Sequence, residues 1–228
     1  MKVRQLFDQD TWTYTYLLFD EKTKEAAIID SVKEKFERDA KYIEELGLTL
    51  KYALETHVHA DHVTASGKLR EKFGCKIGVH ADSGNECADI KIHEGDVFKL
   101  GEQTIEAIHT PGHTNGDVSY KIEGAVFTGD ALLIRACGRT DFQQGNANTL
   151  YHSITEKLFT LPDDTIVYPG HDYDGFTSST IGEEKAQNPR LANQKPETDF
   201  VEIMDNMDLP KPKRIDVAVP GNLSCGMV

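Results

Sequence analysis

The heptapeptide Thr56-His57-Val58-His59-Ala60-Asp61-His62 governs how the rest of this chain is read. Leu48, Leu50, Tyr52 and Leu54 alternate just before it, so a strand runs directly into His57. Side chains on an extended backbone repeat every two residues, which puts His57 and His59 on the same side. Asp61 and His62 follow where the chain turns toward the next helix. Three imidazoles and a carboxylate within six residues would make a poor core, because each needs a buried polar partner. A metal ion partners several of them at once.

Three later positions are constructed in the same way. His113 lies in Thr110-Pro111-Gly112-His113-Thr114, just beyond an expected strand over Thr104 to Ile108. Asp130 ends Val126-Phe127-Thr128-Gly129-Asp130, and His171 ends Ile166-Val167-Tyr168-Pro169-Gly170-His171. In each case an apolar strand delivers one metal-type side chain at its end, with Gly or Pro shaping the exit. Together with the first cluster these positions form a metal-ligand set. His80, His93, His109 and His152 lack ligand-rich neighbours and read as ordinary packed or surface histidines.

The surrounding chain is rich in strands. Alternation predicts strands over Val3 to Phe7, Thr13 to Phe19, Ala26 to Ile29, Lys76 to His80, Val97 to Leu100, Val118 to Ile122, Ala125 to Thr128 and Thr165 to Tyr168. Ser31 with Glu34 predicts a capped helix carrying Phe36, Ala40, Ile43 and Leu46 to a stop at Gly47. A shorter helix is expected over Ala65 to Phe73, and Asn148 is expected to cap a third bearing Leu150, Ile154 and Leu158. About ten strands with interspersed helices predict sheets covered by helices, an α/β or α+β layered domain. Beyond His171 the chain turns polar and Pro-punctuated, so residues 1–228 read as a single catalytic domain with an extension from about 175 to 228.

Composition narrows the partners. The 228 residues hold 25 Lys and Arg against 38 Asp and Glu, a net charge of −13. Phosphate binding relies on cationic side chains, so neither nucleic acid nor an anionic membrane is expected as a partner. No apolar run approaches the roughly 18 residues of a membrane span. The first residues show no signal or transit character, and Cys75, Cys87, Cys137 and Cys225 are scattered. The expectation is a cytoplasmic protein with reduced cysteines, Cys137 buried by packing and Cys225 structural or incidental. With no glycine-rich phosphate loop, nucleotide use has no support.

The ordered set His57-x-His59-x-Asp61-His62, His113, Asp130 and His171 resembles the metallo-β-lactamase superfamily. That resemblance implies an αβ/βα sandwich, two mixed sheets flanked by helices. In the superfamily's dinuclear hydrolases His57, His59 and His113 would hold one zinc, and Asp61, His62 and His171 the other, with Asp130 between them. Asp at position 130 disfavours the lactam-hydrolysing members that place a Cys there.

A narrower set of strings resembles the persulfide dioxygenases. These are Phe127-Thr128-Gly129-Asp130-Ala131-Leu132-Leu133-Ile134-Arg135, Cys137-Gly138-Arg139-Thr140-Asp141-Phe142-Gln143-Gln144-Gly145, His171-Asp172-Tyr173, Glu183-Glu184-Lys185 and Asn188-Pro189-Arg190-Leu191. The similarity runs from Arg4-Gln5-Leu6-Phe7 to Asn222-Leu223-Ser224-Cys225-Gly226. It implies one iron(II) per chain on His57, His113 and Asp130, two imidazoles and a carboxylate with positions left open for substrate sulfur and O₂. His59, Asp61, His62 and His171 would then hydrogen-bond the ligands or water and fix ring orientation. The implied reaction converts glutathione persulfide, O₂ and water to glutathione and sulfite. Arg139, Tyr173 and Arg190 are the expected contacts to the anionic substrate. The family commonly forms dimers, so a homodimer is expected. The alternative is a glyoxalase II-type hydrolase of S-acylglutathione thioesters with two zinc ions. Its members carry a larger helical domain after the His171 position, whereas 57 residues follow here.

Overall fold

The computed structural model describes residues 1–227. Its first sheet contains β1 (Lys2–Asp8), β2 (Thr13–Phe19), β3 (Glu25–Ile29), β4 (Thr49–Leu54), β5 (Lys76–His80) and β6 (Ile90–Ile92), in that spatial order. The second contains β7 (Val97–Leu100), β8 (Gln103–His109), β9 (Val118–Ile122), β10 (Ala125–Gly129), β11 (Ile166–Pro169) and β12 (Ser179–Thr180), also in sequence order across the sheet. Both sheets are mixed. β3 to β6 pair in parallel in the first, as do β10 and β11 in the second.

The helices cover the outer faces. α1 (Phe36–Glu45) and α2 (Ser66–Phe73) lie on the first sheet, where Ile43 and Leu69 join Leu17, Ile28 and Ile77 in one cluster. α3 (Ala147–His152), α4 (Ile181–Gln187) and α5 (Glu197–Asp205) lie on the second, where Leu150, Ile181 and Phe200 pack with Val126 and Val167. α6 (Ile215–Leu223) returns to the first half of the molecule. Between the sheets sits the main core, including Tyr16, Leu18, Ile29, Leu54, Ile105, Tyr120 and Phe127. β2 shows the consequence. All seven of its residues are buried, with Tyr16 and Leu18 facing the other sheet and Leu17 and Phe19 facing the helices.

Two expected helix caps are corrected. Ser31 is buried and its hydroxyl lies 3.4 Å from that of Thr64; a short 3₁₀ turn over Lys33–Lys35 leads into α1 instead. The reason is that Ser31 is occupied holding the loop after β4. α3 is capped by Asn146, which accepts from the Thr149 N–H at 2.9 Å, so Asn148 lies inside the helix. β6 and β12 are too short, at three and two residues, to leave an alternation to read. The cysteines are also corrected, because Cys87 and Cys225 form a disulfide across 138 residues of sequence. The fold lays the segment after α6 beside the loop after β5, which brings their Cα atoms to 6.0 Å, well inside bridging range. Cys137 is buried as expected. Among the described residues no helix is long and apolar enough to cross a membrane.

Candidate metal centre

The chemically distinctive residues follow the carboxyl ends of strands. The loop after β4 carries His57 to His62, and that after β8 carries His113. Asp130 follows β10, and His171 follows β11 after one glycine. Parallel neighbours make such exits adjacent: Gly170 N donates to Gly129 O at 2.7 Å, so Asp130 and His171 emerge side by side. The approach requires glycine on both strands. A Cβ on Gly170 would stand 2.6 Å from Asp130 Oδ1, and one on Gly129, whose φ is +50°, would press on the Thr56 side chain.

One ligand-type atom from each of His57, His113 and Asp130 lies within 4.8 Å of the other two. Hydrogen bonds define which ring nitrogens face one another. His113 Nδ1 donates to Arg139 O at 2.7 Å, leaving Nε2 with its lone pair 3.6 Å from Asp130 Oδ2. The Thr56 hydroxyl donates to Asp30 Oδ2, so His57 Nδ1 donates to Thr56 Oγ1 at 2.9 Å and its Nε2 is the free acceptor. Burial, reinforced by His59 and His113, holds His57 well below its ordinary range and therefore neutral. A neutral imidazole with an oriented lone pair is the form that ligates.

His59, Asp61 and His62 form a second such group within the same distance limit. His62 Nδ1 donates to Asp61 Oδ2 at 2.9 Å, and Thr13 Oγ1 donates to the same oxygen at 3.1 Å. His59 Nε2 lies 3.1 Å from Asp30 Oδ1 and 3.3 Å from Glu55 Oε2; burial lowers its pKa, but these carboxylates outweigh that and raise it well above the ordinary value. His171 is anchored through Nδ1 to Trp12 O at 3.2 Å, and its Nε2 stands 3.7 Å from Asp61 Oδ2 and 3.6 Å from Asp130 Oδ1. Burial lowers His171 as well, and the Asp130 and Asp61 carboxylates more than offset it. Asp130 Oδ1, His59 Nδ1 and His62 Nε2 are buried without a hydrogen-bond partner. Orphaned buried polar atoms of this kind at one place fit a metal ion as their common partner.

The expected substrate contacts are placed differently from one another. Tyr173 is exposed at the rim, its ring parallel to that of His171 at 6.1 Å. Desolvation together with Asp130, Asp61 and Asp172 raises its hydroxyl well above the ordinary value, so it remains a donor. Arg139 gives Nε and Nη2 to Asp141 and further bonds to the Pro210 and Leu209 carbonyls. Arg190 uses Nη1 on Cys137 O at 2.6 Å. His80 and His109 stack at 3.8 Å with planes 12° apart; parallel rings cannot both aim an in-plane lone pair at one ion, so they stay packed histidines despite nearby Asp82.

Asp30 and Glu55 are the functional residues that sequence reasoning missed. Asp30 had a signal: it ends the apolar run Ala26 to Ile29 as Asp130 ends Val126 to Gly129. Glu55 had none, since it separates β4 from the histidines and reads as a spacer. Its Oε1 accepts the Thr64 and Ser66 hydroxyls.

The metallo-beta-lactamase superfamily model matches residues 13–171, the stretch that carries every one of these ligand-type residues. This chain belongs to that superfamily. Its curated relatives include the human protein "Persulfide dioxygenase ETHE1, mitochondrial", 52% identical over 99% of this chain and 89% of that protein. The mouse protein of the same name is 51% identical with the same coverage. Among solved structures, ETHE1 from Myxococcus xanthus superposes with a TM-score of 0.96 at 51% identity, covering 99% of this chain and 100% of that one. Within the metallo-beta-lactamase superfamily the chain therefore falls with the persulfide dioxygenases.

Proposed function

We propose that this chain is a persulfide dioxygenase that oxidises glutathione persulfide with O₂ and water to sulfite and glutathione at a mononuclear iron(II). The observation that carries the reading is the convergence of His57, His113 and Asp130, in a chain about half identical to curated persulfide dioxygenases. Iron bound there would offer open coordination positions at which persulfide sulfur and O₂ meet. The thioester hydrolase with two zinc ions finds no support in these relatives.

The chain's own groups have separate tasks in this reading. Thr56 and the Arg139 carbonyl hold His57 and His113 in the tautomers that turn Nε2 to the centre. His59, Asp61, His62 and His171 keep the adjacent polar shell ordered, and the Tyr173 hydroxyl donates to the substrate at the rim. Arg190 is the cation we assign to a glutathione carboxylate, because among the described residues only its Nη1 is engaged. Arg139 supports the same end of the site but has most of its donors committed. The net charge of −13 makes these local cations necessary for an anionic substrate and argues against nucleic acid or anionic membrane as a partner. The proposal extends to a single catalytic domain over 1–228 with an extension from about 175, a homodimer, and the cytoplasm.

A paired measurement tests it: metal content of the purified protein, and O₂ uptake with glutathione persulfide against hydrolysis of lactoylglutathione. One iron with persulfide-dependent O₂ uptake is expected. Two zinc ions with thioester turnover and no O₂ uptake would overturn the reading.

A further inference from the structure

The loop that carries His57 to His62 has no helix or strand of its own. Between β4 and α2, residues 55–65 make only the isolated bridge from Thr64 to Val32. A loop buried at this depth must still satisfy its backbone amides and carbonyls, or it loses their hydrogen bonds outright. Gln143 Nε2 donates to Val58 O at 2.7 Å, and from His59 to Thr64 three further bonds come from one side chain late in the sequence. Asn222 Nδ2 donates to His59 O and to His62 O, each at 2.8 Å. Asn222 Oδ1 accepts from Thr64 N, also at 2.8 Å. Both amide hydrogens and the amide oxygen are thus spent on the turn that contains Asp61 and His62. Asn222 is itself buried.

The backbone that carries this carboxamide is held in place from several directions. Asn85 Nδ2 donates to Asn222 O at 2.7 Å. Just beyond, Gly67 N at the start of α2 donates to Cys225 O at 2.9 Å, and Lys33 Nζ donates to Gly226 O at 3.0 Å. Gly226 sits so tightly on the Thr64 carbonyl, at a φ of +75°, that no Cβ would fit. The Cys87–Cys225 disulfide ties the same segment to the loop after β5. None of these groups touches the site directly, yet all restrict where Asn222 can stand.

We infer that Asn222 is a positioning residue for the metal ligands: its carboxamide sets the backbone turn from His59 to Thr64 and thereby the place of the His57 ring. The link to His57 is by contact. The His59 ring packs at 4.1 Å from that of His57 and 4.3 Å from that of His62, so a shift of the turn is passed to the ligand. The inference rests on the reading of His57, His113 and Asp130 as a metal centre, but not on which reaction that centre performs.

The test uses cobalt(II) on the full chain, with affinity read by competition against a chromophoric chelator and geometry read from the visible spectrum. Asn222→Ala removes all three bonds. Asn222→Asp keeps the acceptor for Thr64 N but faces the two carbonyls with an oxygen. The negative charge alone would attract a cation, so weaker binding by this variant reports geometry. Both variants are expected to bind about 10–100-fold more weakly, the range for groups that orient ligands, with an altered cobalt spectrum. A merely structural role would lower the melting temperature of the metal-free protein and leave affinity and spectrum as in wild type, which would overturn the inference. Should both variants fail to fold, Asn85→Asp keeps the acceptor for the Cys87 and Ala88 amides and removes the donor to the Asn222 carbonyl, which retains its bond from Cys225 N; a smaller loss of affinity is expected, and unchanged affinity overturns the inference. Wild-type protein that takes up no cobalt at this site would instead sink the metal-centre reading itself.

Discussion

The Thr56 hydroxyl donates to Asp30 Oδ2 at 2.8 Å, and with its hydrogen so committed it accepts His57 Nδ1–H at 2.9 Å. Asp30 adds a second bond from the Thr56 N–H at 2.7 Å, so the hydroxyl has little freedom to turn. The relay therefore fixes the His57 tautomer from behind. Thr56→Val keeps the volume and removes the acceptor. Metal affinity should fall about 10–100-fold. A titration giving wild-type affinity would show that the ring is oriented by packing alone.

Asp130 has a different position, since its carboxylate stands between rings rather than behind one. Oδ2 is 3.6 Å from His113 Nε2 and Oδ1 is 3.6 Å from His171 Nε2. Asp130→Ala deletes the sole carboxylate of the proposed triad and should abolish iron retention and persulfide-dependent O₂ uptake. Stoichiometric iron and normal uptake in the variant would remove Asp130 from the ligand set.

Arg190 separates binding from chemistry. A guanidinium that contacts only the glutathione moiety contributes equally to ground state and transition state, so its loss appears in KM. Arg190→Ala should raise KM about tenfold or more, the worth of one charge-assisted hydrogen bond, with kcat little changed. An unchanged KM would assign the side chain to its bond with Cys137 O alone.

Asp117 gives the metal-free protein a pH signature. It is fully buried behind the His113 loop, where it accepts from Thr114 N at 2.7 Å and from Thr114 Oγ1 at 2.6 Å. Burial pushes its carboxyl from 3.8 up to about 6, against the opposing pull of His113 and the Thr114 bonds. Between those values the folded state binds the proton and the unfolded state does not. This contribution to stability is therefore present at low pH and lost as pH rises through the window. Asp117→Asn should remove that dependence, so that its stability relative to wild type gains on the order of 3 kcal/mol between about pH 4 and pH 7. Urea denaturation at the two pH values checks it, and a constant difference would sink the assignment.

Much of this arrangement is legible before any coordinates. The alternation from Leu48 to Leu54 delivers a strand into His57, and β4 spans Thr49–Leu54. The runs before Asp130 and His171 are strands as read. What stayed hidden concerns residues whose role depends on a distant partner. Ser31 has the spacing of a helix cap but faces Thr64. Asn222 has no visible task at the end of α6 until its three bonds to the histidine loop are seen. Cys87 and Cys225 stand 138 residues apart with nothing local to pair them.

The sequence by itself determined the inventory, because the strand period and the Gly or Pro exits place each His or Asp at a strand end. Tertiary structure decided which of those ends meet. Ile29 is in register with Leu54, which brings Asp30 beside Thr56. Gly129 is in register with Pro169, which brings Asp130 beside His171. Parallel register between strands many residues apart has no local signature, since it is set by two sheets closing on one shared core.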